Sequence, residues 1–156
     1  MSSKSVFYLG IFAVLLFVST CVVGGFLIEN YNITSQYISE TYAIDTTYGK
    51  HLRVLGYIPS GILITIFYFL GYKHFYPSKL IKFGFWGLGI FYGIATIIVS
   101  FFPCDSGCNK EFINPSTSQI IHNLTGLLTY LSVPVCFIII GLRLKKILPY
   151  NKLVIK

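Results

Sequence analysis

Charged residues are scarce in this sequence: Asp, Glu, Lys and Arg make up 11% of its 156 residues, and only five of them are acids. A soluble globular domain carries about 25% charged residues. Apolar residues make up 54% of the chain, and the mean hydropathy is +0.73. A domain of this size keeps a large share of its surface exposed, so it could not hide this much apolar area from water. The composition excludes an ordinary soluble domain and predicts an integral membrane protein.

Charge is absent from four long apolar segments, residues 6–28, 54–72, 83–102 and 120–142. Each is long enough to cross a hydrocarbon layer of roughly 30 Å as a helix that rises about 1.5 Å per residue. Helices are required because unpaired backbone groups are costly in lipid. The first segment exceeds the roughly 7–15 apolar residues of a signal peptide, so we expect an uncleaved span. We predict an all-α, polytopic transmembrane helical bundle of four spans, forming a single integral-membrane domain over residues 1–156.

The basic residues are unevenly divided between the two predicted ends of the bundle. Nine lie before the first span, between spans two and three, or after span four: Lys4, Lys73, Lys79, Lys82, Arg143, Lys145, Lys146, Lys152 and Lys156. The loops 29–53 and 103–119 hold the other three basic residues and all five acids. Because cytoplasmic loops are enriched in Lys and Arg, both termini are predicted to be cytoplasmic, in the inner (plasma) membrane. The net charge of +7 follows from this bias and needs no nucleic acid partner.

Two of the four cysteines lie in the outward loop FFPCDSGCNKEF. An outward loop lies in an oxidising compartment, so Cys104 and Cys108 are predicted to form a disulfide, with Gly107 permitting the tight chain reversal. The alternative is a zinc site completed by Asp105 and His122, but no second cysteine pair or H-x₃₋₅-H motif accompanies it. A redox-active pair is not indicated either, because C-x-x-C is absent. We predict no metal and no other cofactor.

Polar residues of the outward loops and of the fourth span are expected to meet at the outer mouth of the bundle. Ser39 and Glu40 lie in the first loop, Asp105 lies in the second, and His122 shares a helix face with Gln119. The first hypothesis is a site that binds a membrane lipid or a partner. The alternative is an enzyme acting on a lipid head group, with His122 as general base, Glu40 or Asp105 orienting it, and Ser39 nearby. An interhelical hydrogen bond is a further interpretation of His122, and no nucleophile-elbow motif supports a hydrolase.

Small residues in two of the spans are spaced for close helix packing. Gly89 and Gly93 form a GxxxG pair in the third span, and Gly56 and Ser60 are four residues apart in the second. Small residues at this spacing let helices approach closely in lipid. The pattern predicts intramolecular packing of spans two and three, with a homodimer through Gly89 and Gly93 as the alternative.

Three motifs resemble a bacterial and archaeal family of multi-spanning membrane proteins, catalogued as domain of unknown function 998. They are SQYISETYA after the first span, FPCDSGC after the third and IIHNLTG at the start of the fourth. Outside the FPCDSGC run, the matching positions are Ser35, Ser39, Glu40, Ser118, His122 and Gly126. The resemblance covers roughly residues 6–145 and implies a helical bundle whose outer face gathers these elements, with no assigned reaction.

Members of that family often continue for further spans, whereas this chain ends in LKKILPYNKLVIK. A short member, a truncated product and one half of a dimeric bundle are all compatible with this ending. A four-helix bundle can also stand alone, so the three alternatives stay open.

Overall fold

The structure, a computed structural model, describes residues 1–29 and 31–147. Four long helices dominate it: α1 (Ser3–Leu27), α2 (Gly49–His74), α3 (Lys79–Phe101) and α4 (Thr117–Ile147). All four are long and apolar enough to cross a membrane, and the described residues contain no strand. The predicted all-α fold with four candidate spans is therefore confirmed. Of the basic residues used to predict the orientation, Lys152 and Lys156 lie outside the described residues.

Each helix extends beyond its charge-free segment at one or both ends. Helix α2 begins at Gly49 and so includes Lys50 and Arg53, and α4 continues through Arg143 to Ile147. The apolar segments stop short of these residues because a charge in the middle of a bilayer is costly. Long basic side chains near helix ends can extend toward the membrane surface, so the backbone stays helical past the apolar segment.

The helices alternate in direction, so that the bundle has two distinct ends. At one end, Ser3 Oγ lies 3.0 Å from His74 Nδ1, and Arg143 Nε donates to Ser78 Oγ at 3.1 Å. At the other end, the N–H of Ile44 donates to a carbonyl of the loop between α3 and α4. We call them the basic end and the acidic end. The first carries the described members of the basic set identified in the sequence, and the second carries all five acids.

Each helix packs chiefly against its neighbour in the sequence, which makes a row in the order α1, α2, α3, α4. The row is curved, because the ring of Phe17 on α1 lies 5.9 Å from that of Tyr92 on α3. Buried apolar side chains form one cluster around Tyr57 near the acidic end and another around Phe85 near the basic end. Helices α1 and α4 therefore stand at the two edges of the row.

The glycines of α3 are used for packing inside the chain. A Cβ atom on Gly93 would lie 2.8 Å from the backbone nitrogen of Thr65, so α2 and α3 approach this closely because glycine stands there. A Cβ on Gly89 would lie 2.8 Å from the ring of Phe69 in the same interface. The intramolecular alternative thus accounts for both glycines. A homodimer stays a prediction, and its contact surface would have to be elsewhere.

Gly56 and Ser60 serve different contacts from those expected. Gly56 faces Thr20 of α1, whereas the sequence predicted packing against the third span. Ser60 is 0% exposed, and its hydroxyl donates to the carbonyl of Tyr57 in its own helix. The four-residue spacing identified close packing correctly but did not identify the partner helix, because α2 lies between two neighbours.

Two of the helices contain a π-helical turn, Leu52–Tyr57 in α2 and Gly89–Ile94 in α3. In α2 a regular α-helical run, Ile58–Gly71, follows directly, and Pro59 lies in its first turn. Although α2 is continuous from Gly49, proline is tolerated there because the preceding π turn already departs from the regular pattern, with the Ile58 N–H donating to the Arg53 carbonyl. Pro134 lies inside α4, which continues helical on both sides of it.

Candidate functional site

Two loops at the acidic end fold together into one unit, which we call the cap (residues 31–48 and 102–116). The N–H of Ile44 donates to the carbonyl of Cys104 at 3.0 Å, and the hydroxyl of Ser106 donates to Asp45 at 2.6 Å. Ala43 is buried against the two loop cysteines. The cap thus has its own small core and its own network of hydrogen bonds.

Cys104 and Cys108 are joined by a disulfide, with their Cα atoms 4.8 Å apart and both side chains buried. Gly107 between them has φ +58°, a conformation that glycine adopts without strain. The hydroxyl of Ser39 lies 3.2 Å from the Cys108 sulfur and so links the bridge to the first loop. In the described ranges, no three His, Cys, Asp or Glu side chains are grouped to hold a metal ion, so the zinc alternative gains no support.

Glu40 is held as an anion in the cap. Its carboxylate is 2.9 Å from Lys110 Nζ and accepts hydrogen bonds from the Tyr37 N–H and the Gln36 amide. Burial works against ionisation, since Glu40 is 8% exposed. The hydrogen bonds from Lys110, Tyr37 and Gln36 outweigh that effect and lower the pKa of Glu40 from its ordinary value.

Asp105 organises the start of α4. Its two carboxylate oxygens accept from the N–H and the hydroxyl of Ser116 at 3.0 and 2.5 Å. These two bonds lower the pKa of Asp105. The Ser116 hydroxyl also accepts from the N–H of Gln119, which is the N-cap interaction of the helix. Asp105 is therefore a support for the N-cap of α4.

His122 connects α4 to the end of α3. It is 8% exposed, and its Nδ1 lies 2.9 Å from the carbonyl oxygen of Phe102. A carbonyl can only accept, so Nδ1 carries the hydrogen of this bond. The imidazole ring is 6.2 Å from the ring of Tyr42 in the cap. This is the interhelical hydrogen bond that was one of the interpretations of the residue.

The four candidate catalytic residues all reach the acidic end, but they do not form a joined set. Ser39 contacts the disulfide, Glu40 pairs with Lys110, Asp105 binds Ser116, and His122 binds a backbone carbonyl. Within the described part of the chain, no hydrogen bond joins any two of the four. The enzyme alternative stays a prediction. It would need a general base oriented by an acid, and no hydrogen bond between His122 and Glu40 or Asp105 in the described residues supports that arrangement.

Gln119 is the central residue that sequence reasoning left out of the site. It is 0% exposed, and its Oε1 accepts from the N–H of Asp105 at 2.7 Å. Its Nε2 donates to the carbonyl of Cys108 and to Asn123. The sequence feature that could have identified Gln119 is its position on the polar face of α4, three residues before His122. The hydrogen-bond partners of an amide cannot be inferred from that position.

A cavity lies between the end of α1 and the first loop of the cap, and a groove beside it lies between α1 and the beginning of α2. The cavity has a volume of about 300 Å³ and is polar, with Glu29, Thr41, Asp45 and Thr46 in its wall. The groove has a volume of about 310 Å³ and is mainly apolar. Leu27 and Tyr48 line both, so the two spaces adjoin.

The groove follows the half of the helix pair nearest the acidic end. On α1 it runs from Leu27 back to Ser19, a distance of about 12 Å at about 1.5 Å per residue. One leaflet of a bilayer core is about 15 Å thick, half of roughly 30 Å. Its open walls include Val23 on α1 and Leu55 on α2, which are 49% and 69% exposed. Sequence reasoning did not find this site, because its residues are scattered over α1, the first loop and α2.

Four apolar helices with one folded cap define the class of this chain: it is a multi-pass membrane protein. It belongs to the family of proteins of unknown function DUF998, whose model matches residues 11–154. The resemblance found in the three sequence motifs is therefore confirmed. Among curated proteins and among solved structures, no match to the chain was found.

Proposed function

We propose that this protein binds a membrane lipid at its acidic end, in the polar cavity and the groove that adjoins it. The proposal is supported by the order in which the two spaces lie, with the polar cavity at the acidic end and the apolar groove next to it, toward the middle of the bundle. Carboxylates and hydroxyls surround the cavity, and mainly apolar side chains line the groove beneath it. A phospholipid presents a polar head and an apolar chain in the same order.

The walls of this site are held in place by contacts outside it. Asp45 is fixed by Ser106, and Thr41 donates from its hydroxyl to the Ile38 carbonyl. On the groove side, the π-helical turn Leu52–Tyr57 forms part of the wall, and such turns occur frequently at functional sites. A wall ordered before binding has less conformational entropy to lose when a ligand binds.

A lipid fits these features better than a protein partner, which was the other expectation for this face. The groove lies between two candidate spans and opens sideways through exposed apolar residues. In a bilayer, lipid chains surround that surface. The enzyme alternative would require His122, which bonds the Phe102 carbonyl at 2.9 Å, to become available as a base.

The proposed orientation has both termini in the cytoplasm, in the plasma membrane of a bacterial or archaeal cell. It rests on nine of the twelve basic residues being on the terminal side, with every acid on the other. The cap, with its disulfide, would then lie in an oxidising compartment, where such bonds persist. The lipid site would be in the outer leaflet.

Two neighbouring valines allow a matched test of the proposal. Val22 and Val23 are 50% and 49% exposed, and Val23 lines the groove whereas Val22 does not. Successive helical residues point about 100° apart, so a tryptophan at each position lies on a different side of α1. Each variant would be purified in mild detergent, and bound lipid would be counted by native mass spectrometry.

We expect Val22→Trp to bind lipid with the affinity of the wild type. Val23→Trp should bind it with about tenfold lower affinity. A second pair of variants, Leu55→Trp and Val54→Trp, repeats the comparison on α2. Leu55 lines the groove, and the exposed Val54 does not. Thermal unfolding would verify that all four variants are folded. Equal lipid retention in both members of both pairs would overturn the proposal.

A further inference from the structure

Among the described residues, the wall of the cavity beside the cap contains acidic groups and no lysine or arginine. Glu29 and Asp45 contribute carboxylates, and Thr41 and Thr46 contribute hydroxyls. The described residues that line the adjoining groove also include no lysine or arginine, and His51 is the one basic residue among them. The polar space is therefore suited to a group that donates hydrogen bonds and carries positive charge.

The carboxylates of the cavity keep capacity for a further partner. Glu29 is exposed and makes no hydrogen bond or ion pair with the described residues. Asp45 accepts the Ser106 hydroxyl on one oxygen, Oδ2, at 2.6 Å. A carboxylate has about four lone-pair sites, so both groups can accept more hydrogen bonds.

The basic residues of the acidic end do not neutralise these two acids. Lys110 pairs with Glu40, and Arg53 donates to the carbonyl of Tyr42. Lys50 is exposed and lies outside the lining of both spaces. The acids of the cavity thus remain available to a cation from outside the chain.

We infer that the ligand is a phospholipid whose head group ends in a primary ammonium, an inference that rests on the proposed function. The ammonium lies in the cavity and donates its three hydrogens to Glu29, Asp45 and the threonine hydroxyls. The phosphate lies at the junction, near Tyr48 and His51, and one acyl chain follows the groove. A quaternary ammonium has no hydrogen to donate, and an anionic head group is repelled by the two carboxylates.

The test compares lipids that differ only in the head group. Dioleoyl phosphatidylethanolamine, phosphatidylcholine and phosphatidylglycerol would each be titrated into the delipidated full-length protein, with binding followed by native mass spectrometry. The wild type is expected to prefer phosphatidylethanolamine about tenfold over the other two, since hydrogen bonds to charged groups are among the stronger ones. Glu29→Gln and Asp45→Asn would each be measured beside Glu111→Gln, an exposed acid of the cap outside the cavity.

We expect each cavity variant to lose most of the preference while still binding lipid, and Glu111→Gln to keep it. Asparagine at 45 can still accept from Ser106, so loss of folding is not expected, and thermal unfolding would check it. Equal affinity of the wild type for all three lipids would overturn the ammonium inference and leave the lipid site standing. Absence of binding by all three, with no difference between Val22→Trp and Val23→Trp, would overturn both.

Discussion

Lys110 Nζ lies 2.9 Å from a carboxylate oxygen of Glu40 and so joins the two loops of the cap. The side chains are unequally exposed, 46% for Lys110 and 8% for Glu40. Loss of the lysine would leave a nearly buried carboxylate without its cation, which costs more than loss of an exposed pair. The integrity of the cap therefore depends on Glu40 being ionised and paired.

The cap is predicted to loosen on acidification. A carboxyl whose pKa is lower in the folded state stabilises fully above its unfolded value, about 4.3, and loses that effect as pH falls through the folded value. The pKa of Glu40 is lowered in this way, since its hydrogen bonds outweigh burial. Thermal unfolding in detergent, from about pH 7 to about pH 3, should show falling stability for the wild type.

Glu40→Gln should be less stable at neutral pH and show a flatter pH dependence. Some slope should remain, because the pKa of Asp105 is also lowered, through its bonds with Ser116. Glu111→Gln is the control and should keep the slope of the wild type. A wild-type slope in Glu40→Gln would show that the ion pair does not stabilise the cap.

Gln119→Leu is predicted to destabilise the protein by about 2 kcal/mol, because buried polar groups left unpaired cost about 1–3 kcal/mol each. The change removes the acceptor of the Asp105 N–H and the donor to the Cys108 carbonyl. Asn123→Leu, at an exposed position, removes only an acceptor of the Gln119 amide and should cost less. Unfolding by denaturant in detergent micelles would measure both, and equal costs would argue against the central position of Gln119.

Gly93→Ala is predicted to separate α2 from α3, with a cost of about 1–3 kcal/mol, typical of overpacking. The new methyl group would meet the backbone nitrogen of Thr65. Gly141→Ala, with nothing within 4 Å of the new Cβ, should be neutral or slightly stabilising, because alanine favours helix. Thermal unfolding would measure the stability of both variants. A Gly93→Ala variant as stable as the wild type would contradict the close approach of α2 and α3 at this position.

Cysteine labelling tests the proposed orientation. Cys21 and Cys136 would be replaced by alanine, and the native disulfide retained. Ile113→Cys in the cap and Tyr76→Cys at the basic end both occupy exposed positions, 63% and 47%. An impermeant maleimide should label the first in intact cells and the second only after permeabilisation. The reverse pattern would place the termini outside.

The four helices could be predicted because hydropathy depends on each segment alone. A span needs length and absence of charge, and residues 6–28 show both without reference to any neighbour. Which helices pack together is harder to predict. The spacing of Gly56 indicated a close contact, but α2 has neighbours on two sides. The contact that Gly56 makes is with Thr20 of α1. The start of α2 was placed too late in the sequence, at residue 54, because Lys50 and Arg53 belong to the helix although they are charged.

At the acidic end, the residue types could be predicted and their partners could not. Asp105 and His122 both lie where the topology brings them, but each bonds a different group, Ser116 and the Phe102 carbonyl. A backbone carbonyl has no sequence signature, since every residue has one. Glu29 could not be singled out for a related reason: it lines a cavity that exists only after the end of α1 and the cap have packed.

The π-helical turn Gly89–Ile94 has a consequence for the distant cap. A π turn contains one residue more than the α-helical turn it replaces, and it takes up that residue within a single wide turn. In a regular α-helix the same insertion would rotate everything after it by about 100°. The π turn therefore keeps the end of α3 in the orientation in which the Phe102 carbonyl meets His122, where the chain enters the disulfide loop.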